Sequence, residues 1–94
     1  MIVLQIEHKV SNYNGWKKVF DSDPINRKRS GVCRHRIFRP SDDAHYVIVQ
    51  LEFQTLHAAE EALAALKKFW TNIEGKIVFD PQTRILDIAE AIEY

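Results

Sequence analysis

Hydrophobic and polar positions alternate at the start of the chain. Ile2, Leu4, Ile6 and His8 fall on one face, and Val3, Gln5, Glu7 and Lys9 on the other. A period of two over this length predicts a half-buried strand. No basic stretch precedes the apolar residues, so the segment does not read as a signal peptide. The spacing then becomes helical. Ser11-Asn12 offers a cap, and Tyr13, Trp16, Val19 and Phe20 follow on one face. Gly15 weakens the first turn of that helix by up to about 1 kcal/mol relative to Ala. Asp23-Pro24 ends or kinks it, because a residue before proline avoids the helical region. The polar stretch 26–31 closes on Gly31, a plausible stop.

Residues 32–39 read as a second strand, with Cys33, His35, Ile37 and Arg39 against Val32, Arg34, Arg36 and Phe38. Neither face is clearly apolar, so periodicity does not orient it. Residues 40–43 form a turn by composition. Residues 46–53 are the clearest strand, because Val47, Val49, Leu51 and Phe53 make a wholly apolar face. Thr55 caps the longest helix, with Leu56, Ala59, Leu63, Leu66 and Trp70 along one stripe. Glu60 and Glu61 near its start and Lys67 and Lys68 near its end suit the helix dipole.

Residues 72–83 are irregular, punctuated by Gly75 and Pro81, with a short strand conceivable at 76–79. The tail from Arg84 is ambiguous. As a strand it aligns Leu86, Ile88 and Ile92, interrupted by Glu90; as a helix it aligns Ile85, Ile88, Ala89 and Ile92. With a final strand, the order is strand, helix, strand, strand, helix, strand. That is the α+β, ferredoxin-like βαββαβ order: a four-stranded antiparallel sheet with two main helices on one face. The other face is then solvated or covered by something else.

The 94 residues fit a single domain. Thirteen basic and thirteen acidic residues cancel. Neutrality argues against a nucleic-acid module or a polybasic membrane anchor. One cysteine excludes an intramolecular disulfide framework and cannot by itself make a structural zinc site. No apolar run approaches the roughly 20 residues a bilayer span needs. The expectation is a cytoplasmic protein. So short a domain, without disulfides or metal, gains stability most readily by oligomerising.

The run His8-Lys9-Val10, Tyr13-Asn14-Gly15-Trp16-Lys17-Lys18-Val19-Phe20-Asp21 resembles the start of small actinobacterial-type proteins of the dimeric α+β barrel superfamily. Gly31-Val32, Arg39-Pro40-Ser41-Asp42-Asp43, and Leu51-Glu52-Phe53 leading into Ala58-Ala59-Glu60-Glu61-Ala62 extend the likeness over most of the chain. Such proteins are similar to antibiotic-biosynthesis monooxygenases and stress-responsive barrel proteins. The resemblance implies a homodimer, two sheets packed face to face around a small-molecule cavity, and a strand at 84–92. The superfamily's monooxygenases work without a cofactor on polycyclic aromatic substrates, and its haem-degrading members use a histidine from a helix. Neither residue set transfers position by position.

The histidines His8, His35, His45 and His57 have no ligand spacing, so no metal site is expected. His8 and His35 could meet on neighbouring strands, although a hydrogen-bonded place at the core edge is the commoner fate. Cys33 reads as a small buried hydrophobe. No glycine-rich phosphate loop or G-x-S-x-G elbow is present. Arg27, Lys28, Arg29, Arg34, Arg36 and Arg39 concentrate basic charge, which acidic neighbours can neutralise. Phe20 reads as core, and Tyr13 and Trp16 are either core or the wall of an aromatic pocket.

Pairing Phe38 with Tyr46 across the 40–45 turn sets Arg36 opposite Ile48, Arg34 opposite Gln50 and Val32 opposite Glu52. Arg34 and Arg36 then share the face away from the helices with Gln5, Glu7, Tyr46, Gln50 and Glu52. A one-residue slip would reverse this and bury the arginines, at high cost. The candidate ligand-binding residues are therefore Glu7, Arg34, Arg36, Tyr46, Gln50 and Glu52, with Trp16. They serve either as an ion-pair network fixing dimer orientation or as a polar cavity for an acidic or phenolic oxygen. Three functional classes follow: a monooxygenase-like enzyme on an aromatic or phenolic substrate, with no cofactor; a non-catalytic ligand-binding or regulatory homodimer; and an interaction module using an exposed sheet edge.

Overall fold

The computed structural model describes residues 1–94. The elements run β1 (Ile2–Val10), α1 (Tyr13–Asp21), β2 (Arg34–Phe38), β3 (Tyr46–Phe53), α2 (Leu56–Trp70) and β4 (Val78–Asp87). The strands form one antiparallel sheet in the order β2-β3-β1-β4. This is the ferredoxin-like βαββαβ fold that the chain's pattern predicts. No helix is long and apolar enough to cross a membrane.

The core lies between the sheet and the helices. Leu4, Val47, Leu51 and Phe53 project from the helix-side face and are essentially inaccessible. Ala59, Ala62, Leu66 and Trp70 of α2 close over them. Each large buried side chain of this kind contributes about 1.5–3 kcal/mol. Both predicted caps form. Asn12 Oδ1 accepts from Gly15 N at 2.9 Å, and Thr55 Oγ1 from Ala58 N at 3.1 Å. These bonds satisfy amides that a first helical turn leaves without partners.

Three expectations are corrected. First, β2 begins at Arg34, and its register differs by two residues. Arg34 pairs with Glu52, Arg36 with Gln50 and Phe38 with Ile48. The side chains keep the faces expected of them because a two-residue slip preserves side-chain parity. A broad turn over the intervening residues sets this register, held by Asp43 Oδ1 accepting from His45 N at 2.9 Å.

Second, the tail strand lies earlier than 84–92. β4 runs Val78–Asp87 and absorbs Val78 and Phe79 of the 76–79 candidate, together with Pro81. Proline is tolerated here because β4 is an edge strand. A bulge accommodates it: Glu7 pairs with Gln82 but Lys9 with Phe79, so Asp80 and Pro81 together oppose His8. Asp80 takes φ 50° at that point.

Third, Cys33 is exposed and does not join the core. His8 and His35 stay apart, as the commoner reading has it: His8 is level with Val47 and His35 with Leu51, and β3 separates their strands.

Candidate functional site

Between the sheet and the helices a cavity of about 50 Å³ opens toward solvent. That is several times the roughly 10–15 Å³ a single water needs. Its floor is Ile6, Val49 and Leu51, and its aromatic walls are Trp16, Phe20, Phe69 and Trp70. Only two charged or titratable side chains reach it, His8 and Arg27.

The walls follow from α1's spacing. Tyr13, Trp16 and Phe20 stack along one helix face, with ring centroids 5.7 Å and 5.2 Å apart. Two histidines from the sheet meet this spine edge-on, His8 against Trp16 at 5.9 Å and His35 against Phe20 at 5.1 Å. Guanidinium groups cover its ends. Arg39 lies 4.2 Å over Tyr13, and Arg27 3.9 Å over Phe20. Arg27 also donates to the Phe20 carbonyl at 2.8 Å and lies 3.5 Å from Asp23 Oδ1, which ties the 22–33 loop to the end of α1.

His8 stands at the β4 bulge and is 3% exposed. Its Nδ1 lies 3.0 Å from the Lys9 carbonyl. A carbonyl only accepts, so Nδ1 carries the proton and Nε2 keeps its lone pair. Nothing in the chain donates to Nε2. Every fully enclosed side-chain nitrogen and oxygen has a partner, so this atom reaches accessible space. Burial holds the His8 pKa below 6.5, partly opposed by the Lys9 carbonyl. His8 is therefore a neutral acceptor at neutral pH, in an apolar, aromatic-walled cavity.

The other face of the sheet carries a second assembly. Arg36 donates to Gln50 Oε1 at 2.9 Å, Gln50 Nε2 to Gln5 Oε1 at 3.0 Å, and Gln5 Nε2 to Glu7 Oε2 at 3.3 Å. Glu7 Oε1 accepts from the Tyr46 hydroxyl at 2.9 Å. This relay crosses β2, β3 and β1. Arg34 pairs separately with Glu52 at 3.0 Å; Glu52 is buried and Arg34 largely exposed.

Of the seven residues picked from the sequence, the structure thus joins Glu7, Arg36, Tyr46 and Gln50 in one network and Arg34 with Glu52 in a pair. Trp16 lies across the sheet from all six, on the cavity wall. Sequence reasoning did not select His8, Arg27 or Trp70 as site residues. His8 offered one signal, a lone histidine on an otherwise aliphatic strand face. Arg27 offered none, because its place depends on the loop's turns. His57 is exposed and pairs with Glu61 at 3.1 Å. No three His, Cys, Asp or Glu side chains gather into a cluster.

No protein-family model matches the chain, and no curated protein matches it in sequence. Solved structures match its fold. SnoaB, a cofactor-independent oxygenase from Streptomyces nogalater, is 14% identical, with 99% of this chain and 97% of that chain covered and a TM-score of 0.78. A point variant of SnoaB gives 0.80. An antibiotic biosynthesis monooxygenase is 11% identical, with coverage of 99% and 100% and a TM-score of 0.69. A dimeric ferredoxin-like protein from an uncultured marine organism is 13% identical, with coverage of 99% and 92% and a TM-score of 0.66. The fold is that of the antibiotic-biosynthesis-monooxygenase-like proteins. At these identities the likeness defines architecture and leaves the reaction to the site.

Proposed function

We propose that the chain forms a homodimer and takes a single-ring phenol or related aromatic in its helix-side cavity, as a cofactor-independent oxygenase of the kind SnoaB is named for. The observation that carries this reading is the unused Nε2 of His8, a residue lining an aromatic-walled cavity whose only other charged or titratable side chain is Arg27. A phenol seated against Trp16 and Phe20 donates its O–H to His8 Nε2. His8 acts as a general base: as dioxygen attacks the ring, the O–H bond breaks and its proton passes to Nε2 in the same step. The second copy covers the sheet face bearing Val3, Ile48 and the Arg36–Tyr46 relay, which orients the pair. Glu7, Arg34, Arg36, Tyr46, Gln50 and Glu52 then act at the dimer interior, and Trp16 at the ligand.

The test is calorimetric titration with a panel of monocyclic phenols and quinols, followed by oxygen uptake with those that bind. Saturable binding and oxygen consumption, both reduced in His8→Gln, support the proposal. Binding without oxygen uptake supports the second reading, a ligand-binding homodimer, which the small number of polar groups on the cavity wall favours. Absence of binding across the panel overturns both.

A further inference from the structure

Arg27 is the one member of the local basic run that lines the cavity. Lys28 and Arg29 beside it are exposed, and Arg34 and Arg36 stand on the open sheet face. The loop's backbone fixes this placement. Asp23 and Asn26 take φ 58° and 52°, left-handed conformations that a side chain makes costly. Arg27 N donates to Asp23 Oδ1 at 2.8 Å, and the Arg27 carbonyl accepts from Val32 N at 2.9 Å. Both main-chain groups are thus held, and the side chain, 17% exposed, lies over Phe20 on the cavity wall.

A guanidinium presents five N–H donors. Only Nη1 finds oxygen in the chain: the Phe20 carbonyl at 2.8 Å and, loosely, Asp23 Oδ1 at 3.5 Å. Asp23 is partly exposed, and its Oδ1 is already engaged by the Arg27 amide, so it neutralises the charge weakly. Nε and Nη2 have no partner in the chain. They reach accessible space, since no enclosed side-chain nitrogen is left unpaired. Together they form an edge of the fork that takes a carboxylate bidentately. A mostly buried guanidinium short of acceptors is costly, and an anion bound there offsets that cost.

The acceptor and the donor fork stand at different ends of the aromatic wall. His8 meets the edge of Trp16, and Arg27 covers Phe20. Trp16 and Phe20 are four residues apart on α1, about 6 Å along its axis. One benzene ring with substituents on opposite carbons spans a gap of that order. Its hydroxyl then meets His8 Nε2, its carboxylate the Nε–Nη2 edge of Arg27, and its ring the apolar wall between them.

We infer that Arg27 sets the specificity of the cavity for phenols that carry a carboxylate opposite the hydroxyl, the 4-hydroxybenzoate class. This rests on the reading of the cavity as a phenol site and adds the ligand's second anchor. At neutral pH a carboxyl group is ionised while a phenol keeps its proton. One molecule therefore meets the neutral acceptor and the cationic fork with matching ends.

The test is calorimetric titration at neutral pH with phenol, 4-hydroxybenzoate, 3-hydroxybenzoate and 4-hydroxybenzamide. The amide keeps the ring, the hydroxyl and nearly the shape of the acid, and removes the charge. The parent is expected to bind 4-hydroxybenzoate at least tenfold more tightly than the amide, and several-fold more tightly than 3-hydroxybenzoate. In Arg27→Gln the acid-to-amide ratio should fall to within about twofold of unity. The ratio is taken within each protein, so a loosened loop alone does not mimic this result, and circular dichroism checks that the fold is kept. Arg27→Lys keeps the charge and loses the fork, and its ratio should fall between the two; a ratio equal to the parent's overturns the bidentate contact. A parent that binds phenol but holds acid and amide equally overturns the inference and leaves the phenol site standing. A preference for the acid that survives in Arg27→Gln overturns Arg27 as its source. Equal binding of the two hydroxybenzoates overturns the opposed placement of the ends. Absence of binding by all four compounds overturns the phenol site, and this inference with it.

Discussion

The Tyr46 hydroxyl donates to Glu7 Oε1 at 2.9 Å, joining β3 to β1 on the sheet face away from the helices. Partial burial, then the hydrogen bond and the charge of Glu7, raise the Tyr46 pKa above 10.0. Folding thus favours the protonated phenol. That contribution is intact below pH 10 and is lost as pH rises through the raised value. Tyr46→Phe is expected to cost about 1 kcal/mol in chemical denaturation. Ultraviolet titration of the parent should show one tyrosine ionising later than the others, absent from the variant.

His8 runs the other way. Burial lowers its pKa below 6.5, so the unfolded chain binds the proton more readily than the folded one. The stability is complete above pH 6.5 and falls as pH drops through the lowered value. Denaturant midpoints of the parent should decline across that acidic window. In His8→Phe this part of the decline should vanish; an unchanged pH dependence would remove His8 as its source.

Gly31 takes φ 96° between the loop and β2. An added Cβ there would meet Ala58 at an ordinary 3.5 Å, so space is not the obstacle. The left-handed backbone is, and Gly31→Ala should cost about 1–2 kcal/mol. Thermal unfolding checks this; an unchanged midpoint would show that the turn relaxes.

The pattern of the chain carried most of the fold because burial imposes it. β3 was readable to the residue, since Val47, Val49, Leu51 and Phe53 are all buried and its other face is not uniformly apolar. The faces of β2 were readable from the cost of burying Arg34 and Arg36, but its register was not: a two-residue slip keeps every face, and the turn decides it. β4 was obscured by Pro81, which reads as a breaker until the strand is known to lie at an edge and to bulge. The open-face network was foreseeable because its members share strand parity. The cavity was not, because it depends on how α1 and the 22–33 loop sit over the sheet, which no local period encodes.

Trp16 joins the core to the cavity, touching His8 at its edge and Phe20 on its face. Trp16→Leu should keep the fold, at a cost of a few kcal/mol, and should weaken binding of an aromatic ligand more than tenfold by removing a stacking wall. Equal affinity in parent and variant, measured by calorimetry, would place the ligand elsewhere.

The most direct measurement is nitrogen-15 magnetic resonance of the histidine and tryptophan side chains during titration with a monocyclic phenol at neutral pH. The account predicts that the Nε2 resonance of His8 moves toward its hydrogen-bonded or protonated position while its Nδ1 bond persists, with the indoles of Trp16 and Trp70 shifting in the same titration. No change at His8 at saturating ligand would contradict it.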